Sequence, residues 1–211
     1  MSLGTWQTLL KLPLGEPNKG VGRFSNGGGD RVPVLRIGFV GSECSGKTTV
    51  ARALAEHLRA WVVPEYFRFY WDAKRSTDSA AKWVDSEFLH MAETQQMFEE
   101  SYASRADRVL LCDGDASMID AWSRRYLGRS SPALIALASK CARDLLFWCA
   151  PDFPFVDDGV RDGEAIRVAM GDDIRTRLRD AGVTFVELSG PPERRFARAR
   201  DEIEALLARR P

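Results

Sequence analysis

Cysteine and histidine are scarce in this chain, whose 211 residues include only four cysteines and two histidines. The cysteines are scattered, and neither a C-x-x-C pair nor the Cys and His spacing of a zinc site occurs. This excludes a zinc finger, a zinc ribbon and a thioredoxin-type redox motif. Cys112, Cys141 and Cys149 lie in or beside apolar runs, where a reduced thiol packs as a small core residue. We therefore expect a protein of the reducing cytoplasm.

The sequence also has no excess of one charge, since 30 lysines and arginines balance 30 aspartates and glutamates. Such a chain produces no overall field that would attract nucleic acid or an anionic membrane. No apolar run reaches the roughly 20 residues that cross a bilayer, and the N-terminus has no signal-peptide core. We expect neither nucleic acid nor a membrane as a partner, and the oligomeric state is left open.

The length is that of one domain with a sizeable core, preceded by a segment of different composition. Residues 1–33 have only a short apolar patch and contain the run Asn26-Gly27-Gly28-Gly29. We interpret residues 1–33 as a flexible N-terminal extension and residues 34–211 as the globular domain. A small partner-binding segment is the alternative interpretation of the extension.

The clearest motif is a phosphate loop of the form G-x-x-x-x-G-K-[ST]. It consists of Gly41, Ser42, Glu43, Cys44, Ser45, Gly46, Lys47 and Thr48. Glycines let the backbone wrap around an anion, and the loop amides and the N-terminus of the next helix then face the phosphate oxygens. Lys47 is expected to reach the β- and γ-phosphates of ATP, and the Thr48 hydroxyl to bind Mg²⁺.

Strand and helix patterns alternate around and after this loop. Apolar runs predict five strands, at residues 34–40, 61–63, 109–112, 145–149 and 183–188. Helical patterns follow the loop and cover residues 80–104, 133–142, 164–181 (with a break expected at Gly171) and the C-terminus from Pro191. The alternation predicts a three-layer α/β/α fold of the P-loop kinase type, with a mainly parallel five-stranded sheet.

Ligands of such sheets bind at the carboxyl ends of the strands, where three carboxylates are expected. Asp113 ends the third strand, as a Walker B carboxylate that binds Mg²⁺ does. Asp115 is either a second carboxylate near the metal and the acceptor or a plain turn residue. Glu65 follows the second strand and is placed to hold ribose hydroxyls or to take a proton from an attacking hydroxyl. A turn carboxylate paired with Arg68 is the alternative for Glu65.

The segment after Glu65 is unusually aromatic for a loop, and its sequence is Tyr66-Phe67-Arg68-Phe69-Tyr70-Trp71. Aromatic rings stack on planar bases, and more strongly on a cationic base. Core packing is the other explanation, and we expect it to account for at least half of these rings.

Three arginines are candidates for the two ends of the nucleotide. Arg161 lies in a polar loop after the fourth strand, and on a mobile lid it would stabilise charge during phosphoryl transfer. Arg195 and Arg198 follow the fifth strand, where an arginine is placed to lie against the adenine. The alternatives are a solvated surface residue for Arg161 and a basic helix face for the other two.

In order and spacing, residues from about 36 to 200 resemble the ribosylnicotinamide kinase domain of the NadR type. The matching segments are Ile37 to Thr49, Glu65-Tyr66-Phe67-Arg68, Asp113-Gly114-Asp115, Tyr126-Leu127-Gly128-Arg129, Asp158-Gly159-Val160-Arg161 and Arg195-Phe196. Two positions depart from the family pattern. Gly114 replaces a threonine, and the segment from Ala116 to Met118 has no threonine, so the acceptor site is less well matched than the ATP site.

This resemblance implies an Mg²⁺- and ATP-dependent kinase that phosphorylates the 5′-hydroxyl of nicotinamide riboside and gives nicotinamide mononucleotide. With 33 residues before the kinase segments and only two histidines, we expect a standalone kinase domain. The catalytic residues would be Lys47, Asp113, Glu65, Asp115 and Arg161. The ATP-binding residues would be Gly41 to Thr49 with Arg195 and Arg198. The acceptor would contact Glu65, Tyr66, Arg68 and Asp115, and the metal would be held by Thr48 and Asp113.

Two other functions are compatible with the same motifs. One is a kinase for another nucleoside or small metabolite on this fold. The other is a nucleotide-binding regulator that hydrolyses ATP or GTP slowly and signals to a partner. Turnover that depends on an acceptor separates both kinases from the regulator.

Overall fold

The computed structural model describes residues 33–77, 82–153 and 163–210. The predicted extension therefore lies outside the described residues apart from Pro33, and its interpretation stays a prediction. Within the described ranges, no helix combines the length and apolar character needed to span a bilayer.

Five parallel strands form one sheet in the order β2-β3-β1-β4-β5. They are β1 (Leu35–Val40), β2 (Trp61–Val63), β3 (Val109–Asp113), β4 (Leu145–Cys149) and β5 (Val186–Leu188). The central strand β1 pairs with β3 on one side and β4 on the other. The strands read as continuous apolar runs because both faces of a parallel sheet are covered. The predicted parallel sheet is confirmed, although β5 is shorter than expected.

Helices cover both faces of this sheet, as the three-layer prediction requires. The helices of the described residues are α1 (Lys47–Leu58), α2 (Tyr66–Thr77), α3 (Asp85–Ala103), α4 (Ala116–Leu127), α5 (Pro132–Ala138), α6 (Glu164–Asp180) and α7 (Pro192–Ala208). One face carries α1 and α7, with Leu54 and Ile203 in the core. The other face packs on α3, α4 and α6 through Met91, Ile119 and Ile174.

The aromatic segment after Glu65 is the start of α2, and its description as a loop was wrong. Tyr66, Phe67, Tyr70 and Trp71 recur at the three- and four-residue spacing of one helix face. The cap of this helix comes from elsewhere, because the Tyr66 N–H donates to Oε1 of Gln95 on α3 at 2.8 Å. A local pattern does not reveal a helix start that is capped by a residue 29 positions away.

The break expected at Gly171 is also wrong, since α6 continues through it. The glycine serves close packing instead. Its carbonyl accepts a hydrogen bond from Trp148 Nε1 at 3.3 Å, and a Cβ atom there would lie only 3.0 Å from Pro151 Cγ. Gly171 therefore brings α6 close to the end of β4.

Three other helix boundaries differ from the prediction. The helix α4 was missed; the Asp115 side chain caps its N-terminus, and Gly128, with a φ of +69°, caps its C-terminus. The helix α5 ends at Ala138, four residues early, because the chain turns there toward β4. The helix α3 begins at Asp85, where the Glu87 carboxylate accepts the Val84 N–H.

Candidate active site

The phosphate loop connects β1 to α1 at the carboxyl edge of the sheet. Two of its glycines are required by space and by backbone conformation. Gly41 has a φ of +145°, and a Cβ there would lie 2.6 Å from the Cys149 carbonyl oxygen. Gly46 has a φ of +79° and packs against the Phe153 ring, where a Cβ would lie 2.7 Å away. The loop is thus folded against the end of β4.

The Lys47 side chain folds back over this loop. Its Nζ atom donates to the carbonyl oxygens of Gly41 and Ser42 at 2.8 and 2.9 Å. These are neutral acceptors, and the oxygens of a nucleotide phosphate would be stronger, charged ones. The ammonium group of Lys47 therefore lies within reach of a phosphate that binds in the loop.

Thr48 and Asp113 meet as the sequence predicts for a magnesium pair. The Thr48 hydroxyl donates to Asp113 Oδ2 at 2.6 Å, while Asp113 Oδ1 is buried with no hydrogen-bond partner among the described residues. The described ranges contain no cluster of three or more His, Cys, Asp or Glu side chains suited to a metal. Mg²⁺ typically uses one or two protein oxygens, phosphate oxygens and water. These two residues fit that ion.

Glu65 lies beside this pair, at the carboxyl edge of the sheet. Its pKa is raised, chiefly by burial and further by the charge of Asp113, while the ammonium of Lys47 opposes the shift. Gly114, at the position where the resemblance predicts a threonine, has a φ of +80°, and a Cβ there would lie 3.3 Å from Glu65 Cγ. The glycine therefore leaves room for Glu65 at this position, where a threonine would be both strained and crowded.

An aromatic crevice opens beside Glu65 and Lys47. It encloses about 50 Å³ and is lined by Glu43, Lys47, Glu65, Phe67, Arg68, Trp71, Trp122 and Tyr126. Its rings are nearly parallel, with centroids 5.0 Å apart for Phe67 and Trp122 and 5.4 Å apart for Trp71 and Tyr126. The crevice thus combines flat rings with a carboxylate.

Arg68 and Tyr66 have different surroundings within this predicted acceptor region. Arg68 lines the crevice and forms an i,i+4 ion pair with Asp72, with 3.4 Å between Nε and Oδ2. The Tyr66 ring is buried, in an edge contact with Phe98 at 5.4 Å. Core packing therefore explains Tyr66.

Asp115 is buried, and both oxygens of its carboxylate contact other groups of the protein. Oδ1 accepts from the backbone N–H groups of Ser117 and Met118 at 2.9 and 3.3 Å, which caps α4. Oδ2 lies 3.5 Å from the guanidinium of Arg143, which also donates to Glu99 at 2.7 Å. The geometry supports the turn interpretation of Asp115.

A second cavity, of about 280 Å³, lies on the other side of the phosphate loop. Gly46, Thr49, Val50, Ala53, Phe153, Pro192, Glu193, Arg195 and Phe196 line it. Most of this lining is apolar, and the Arg195 guanidinium lies over the Phe153 ring at 4.3 Å. The place and lining suit the adenine of a nucleotide whose phosphates lie in the loop.

Of the remaining predicted residues, Arg198 is exposed and pairs with Glu202 on the same helix at 2.8 Å, so it does not line this cavity. Arg161 lies outside the described residues, and its role stays a prediction. Trp122, Tyr126 and Phe153 line the two cavities but were not predicted as site residues. Tyr126 stands in a segment of the family resemblance, which is the one sequence signal for it.

The AAA domain family matches residues 36–195, which include the phosphate loop, Glu65, Asp113 and Arg195. The chain belongs to this family. Its P-loop fold also agrees with solved structures. A NadR protein in complex with NR superposes with a TM-score of 0.66 at 22% identity, covering 85% of this chain and 53% of that one. A NadR protein with NAD and AMP-PNP gives a TM-score of 0.62 at 20% identity, with 82% and 50% covered.

A structure of thymidylate kinase from Ehrlichia chaffeensis has the same fold, with a TM-score of 0.56 at 16% identity; 82% of this chain and 100% of that one are covered. In sequence, the trifunctional NAD biosynthesis/regulator protein NadR of Salmonella typhimurium is 27% identical over 159 residues. The match covers 74% of this chain but 38% of that relative. The fold is therefore that of nucleoside-type P-loop kinases, and the chain spans less than half the length of this relative.

Proposed function

We propose that this protein is an ATP-dependent kinase that phosphorylates the 5′-hydroxyl of nicotinamide riboside. One observation carries the proposal: the half-buried carboxylate of Glu65 stands beside Lys47 on the wall of a crevice lined by stacked aromatic rings. The pyridinium of nicotinamide riboside is a permanent planar cation, which aromatic faces and carboxylates attract. The relationship to NadR proteins, one of them solved with NR, supports the same acceptor.

The donor site follows from the phosphate loop and the cavity beside Phe153. The triphosphate of ATP would bind the loop amides and Lys47, and its adenine would occupy the cavity. Thr48 and Asp113 would hold Mg²⁺, which neutralises phosphate charge when it is bound. The relatives support ATP as the donor, since a NadR structure contains an ATP analogue.

Glu65 is the proposed general base, and Asp115 is not. The Glu65 carboxylate accepts the proton of the 5′-hydroxyl as the hydroxyl oxygen bonds to the γ-phosphorus, and ADP leaves with the electrons of the broken P–O bond. A base whose pKa is raised by burial is better matched to this step near neutral pH. Asp115 is unsuited because both its oxygens already serve α4 and Arg143.

The test measures ADP release by the purified protein with Mg-ATP and one acceptor at a time. Nicotinamide riboside is compared with its reduced dihydropyridine form, which has nearly the same shape but no permanent charge. We expect kcat/KM to be about 3- to 30-fold higher for the charged riboside, the range that a cation over aromatic rings provides. Removal of divalent cations with EDTA should abolish turnover with either acceptor.

Other results of the ADP-release test would favour one of the two alternative functions. Strong stimulation by a different nucleoside, with none by nicotinamide riboside, would keep the kinase and replace the acceptor. Nucleotide binding without stimulation by any acceptor would contradict the kinase and favour a nucleotide-binding regulator.

A further inference from the structure

Two arginines lie fully buried beneath the phosphate loop, and neither is assigned a contact with a phosphate or with the acceptor in the proposed reaction. The exposed fraction is 1% for Arg195, on α7, and 2% for Arg167, on α6. Arginine is almost never buried to this degree unless its charge and donors are satisfied. The partners of these two side chains therefore indicate what they do.

Arg195 joins three segments of the chain through backbone carbonyls. Its Nη1 donates to the Ser45 carbonyl in the phosphate loop at 2.9 Å. Its Nη2 donates to Ala150, just after β4, at 2.9 Å, and also pairs with Asp152. Its Nε donates to Gly190, in the turn before α7, at 2.8 Å. All the donor nitrogens of the guanidinium fork thus hold the structure around the loop.

Arg167 contacts the same loop one residue earlier, at Cys44. Its Nη1 lies 3.4 Å from the Cys44 carbonyl, and its Nη2 donates to the Phe153 carbonyl at 2.8 Å. The Phe153 ring in turn lies against Gly46 and under the Arg195 guanidinium. Two successive loop carbonyls, of Cys44 and Ser45, are therefore held by two buried guanidinium groups.

Because the peptide bond is planar, holding these two carbonyls also fixes the direction of the N–H groups that follow them. In a planar trans peptide the C=O of one residue and the N–H of the next point in opposite directions. Holding the carbonyls of Cys44 and Ser45 toward the arginines directs the N–H groups of Ser45 and Gly46 away from them. Cys44 also has a φ of +50°, an uncommon conformation for a residue other than glycine, so this part of the loop needs support from its surroundings.

We propose that Arg195 and Arg167 are positioning residues that hold the Cys44 and Ser45 carbonyls and thereby direct two loop amides at the phosphates of the nucleotide. This inference rests on the proposed function only in that the loop binds a nucleotide phosphate. It differs from the role the sequence predicts for Arg195, which is to lie against the adenine.

The variants Arg195→Lys and Arg167→Lys test the proposal. Lysine keeps the positive charge but loses the planar fork, so it does not hold several carbonyls at once. The controls are Arg200→Lys on α7 and Arg177→Lys on α6, since both arginines form ion pairs with a carboxylate at the surface of their own helix. Calorimetric titration then gives the Kd for ATP and for tripolyphosphate, which has no adenine.

We expect the buried-site variants to bind ATP and tripolyphosphate about 10-fold or more weakly, by a similar factor, as loss of one charge-assisted hydrogen bond predicts. The KM for the acceptor should stay within about twofold of wild type, because the crevice lies on the other side of the loop. The control variants should match wild type for all three quantities.

Three outcomes would overturn the proposal. If Arg195→Lys weakens ATP but not tripolyphosphate, Arg195 serves the adenine. If both buried-site variants fold with the affinities of the controls, these arginines only support the structure. If the wild-type protein binds neither ligand, the nucleotide site fails together with the proposed function. Should Arg195→Lys not fold, Arg167→Lys, whose loop contact is longer, carries the test alone.

Discussion

At the scale of single residues, Lys47, Glu65 and Asp113 form a compact group of opposite charges at the edge of the sheet. Burial raises the pKa of both carboxyl groups, and the ammonium of Lys47 opposes that shift in each case. One ammonium group therefore faces two carboxyl groups, and the two acids have different proposed roles. Asp113 bonds to Thr48 in the proposed metal site, and Glu65 lines the crevice proposed for the acceptor.

We predict that Lys47→Ala lowers kcat by about 10³-fold or more, because phosphoryl transfer depends mainly on positioning and charge stabilisation. The loss should exceed that of any change in the acceptor crevice. ADP release with nicotinamide riboside measures kcat, and circular dichroism checks the fold. The matched control is Lys140→Ala, an exposed lysine after α5. A kcat similar to wild type in Lys47→Ala would remove the assignment of the site.

Glu65→Gln should lower kcat by about 10²-fold or more, as loss of a general base does, and should also make the protein more stable at neutral pH. The folded-state pKa of Glu65 is raised above the unfolded value. Its contribution to stability is thus fully present below the unfolded pKa and is lost as pH rises through the folded pKa. The stability gain of Glu65→Gln should therefore be absent near pH 4 and grow toward neutral pH.

Urea denaturation at a series of pH values measures this difference. Glu100→Gln provides a control of opposite sign, because a hydrogen bond from Arg36 lowers the pKa of Glu100. That variant should lose a little stability as pH rises, by less than about 1 kcal/mol for an exposed pair. A Glu65→Gln variant whose stability relative to wild type does not change with pH would mean that the carboxylate is not desolvated.

At the scale of helices and strands, the placement of α4 decides the acceptor crevice. This helix supplies Trp122 and Tyr126 to the crevice and begins at its cap, Asp115. The cap is fixed by the buried guanidinium of Arg143, which also binds Glu99 on α3. A single buried ion network thus sets the position of one crevice wall.

We predict that Arg143→Met lowers the free energy of unfolding by about 3–5 kcal/mol, since removing one partner leaves two buried carboxylates uncompensated. Arg177→Met is the control, because its ion pair with Asp173 is exposed and should contribute less than about 1 kcal/mol. Urea denaturation measures both. The double variant Arg143→Met/Glu99→Gln should recover part of the loss. If Arg143→Met and Arg177→Met lowered the free energy of unfolding equally, the carboxylates of Asp115 and Glu99 would have to be hydrated.

At the scale of the whole molecule, the helices and strands of the described chain extend from Leu35 to Ala208 around one sheet. Both proposed cavities are built from this part of the chain, and the phosphate loop separates them. The proposed donor and acceptor would thus approach the loop from opposite sides, an arrangement compatible with in-line transfer of one phosphoryl group.

We predict that a variant starting at Pro33 keeps its Tm within about 2 °C of the full chain, because every described core residue is retained. Its kcat and its KM for nicotinamide riboside should also be unchanged. Differential scanning calorimetry and ADP release measure these quantities. A clear fall in Tm, or a higher acceptor KM, would contradict the interpretation of residues 1–32 as a flexible extension.

The sequence by itself determined the phosphate loop, the order of the strands along the chain and the parallel sheet. These features depend on local information: a motif of eight consecutive residues, and apolar runs that must be buried on both faces. The positions of Thr48 and Asp113 follow from the same rules, since strand ends of a parallel sheet meet at one edge.

Only the tertiary structure decided what the remaining polar and aromatic residues contact. Arg195 reaches the loop across 150 residues, Arg167 across 123, and Gln95 caps α2 across 29. Asp115 became a cap held by Arg143, and the rings after Glu65 met Trp122 and Tyr126 from a helix that the pattern did not predict. Periodicity records which face of an element is buried, but it does not record which distant group that face will meet.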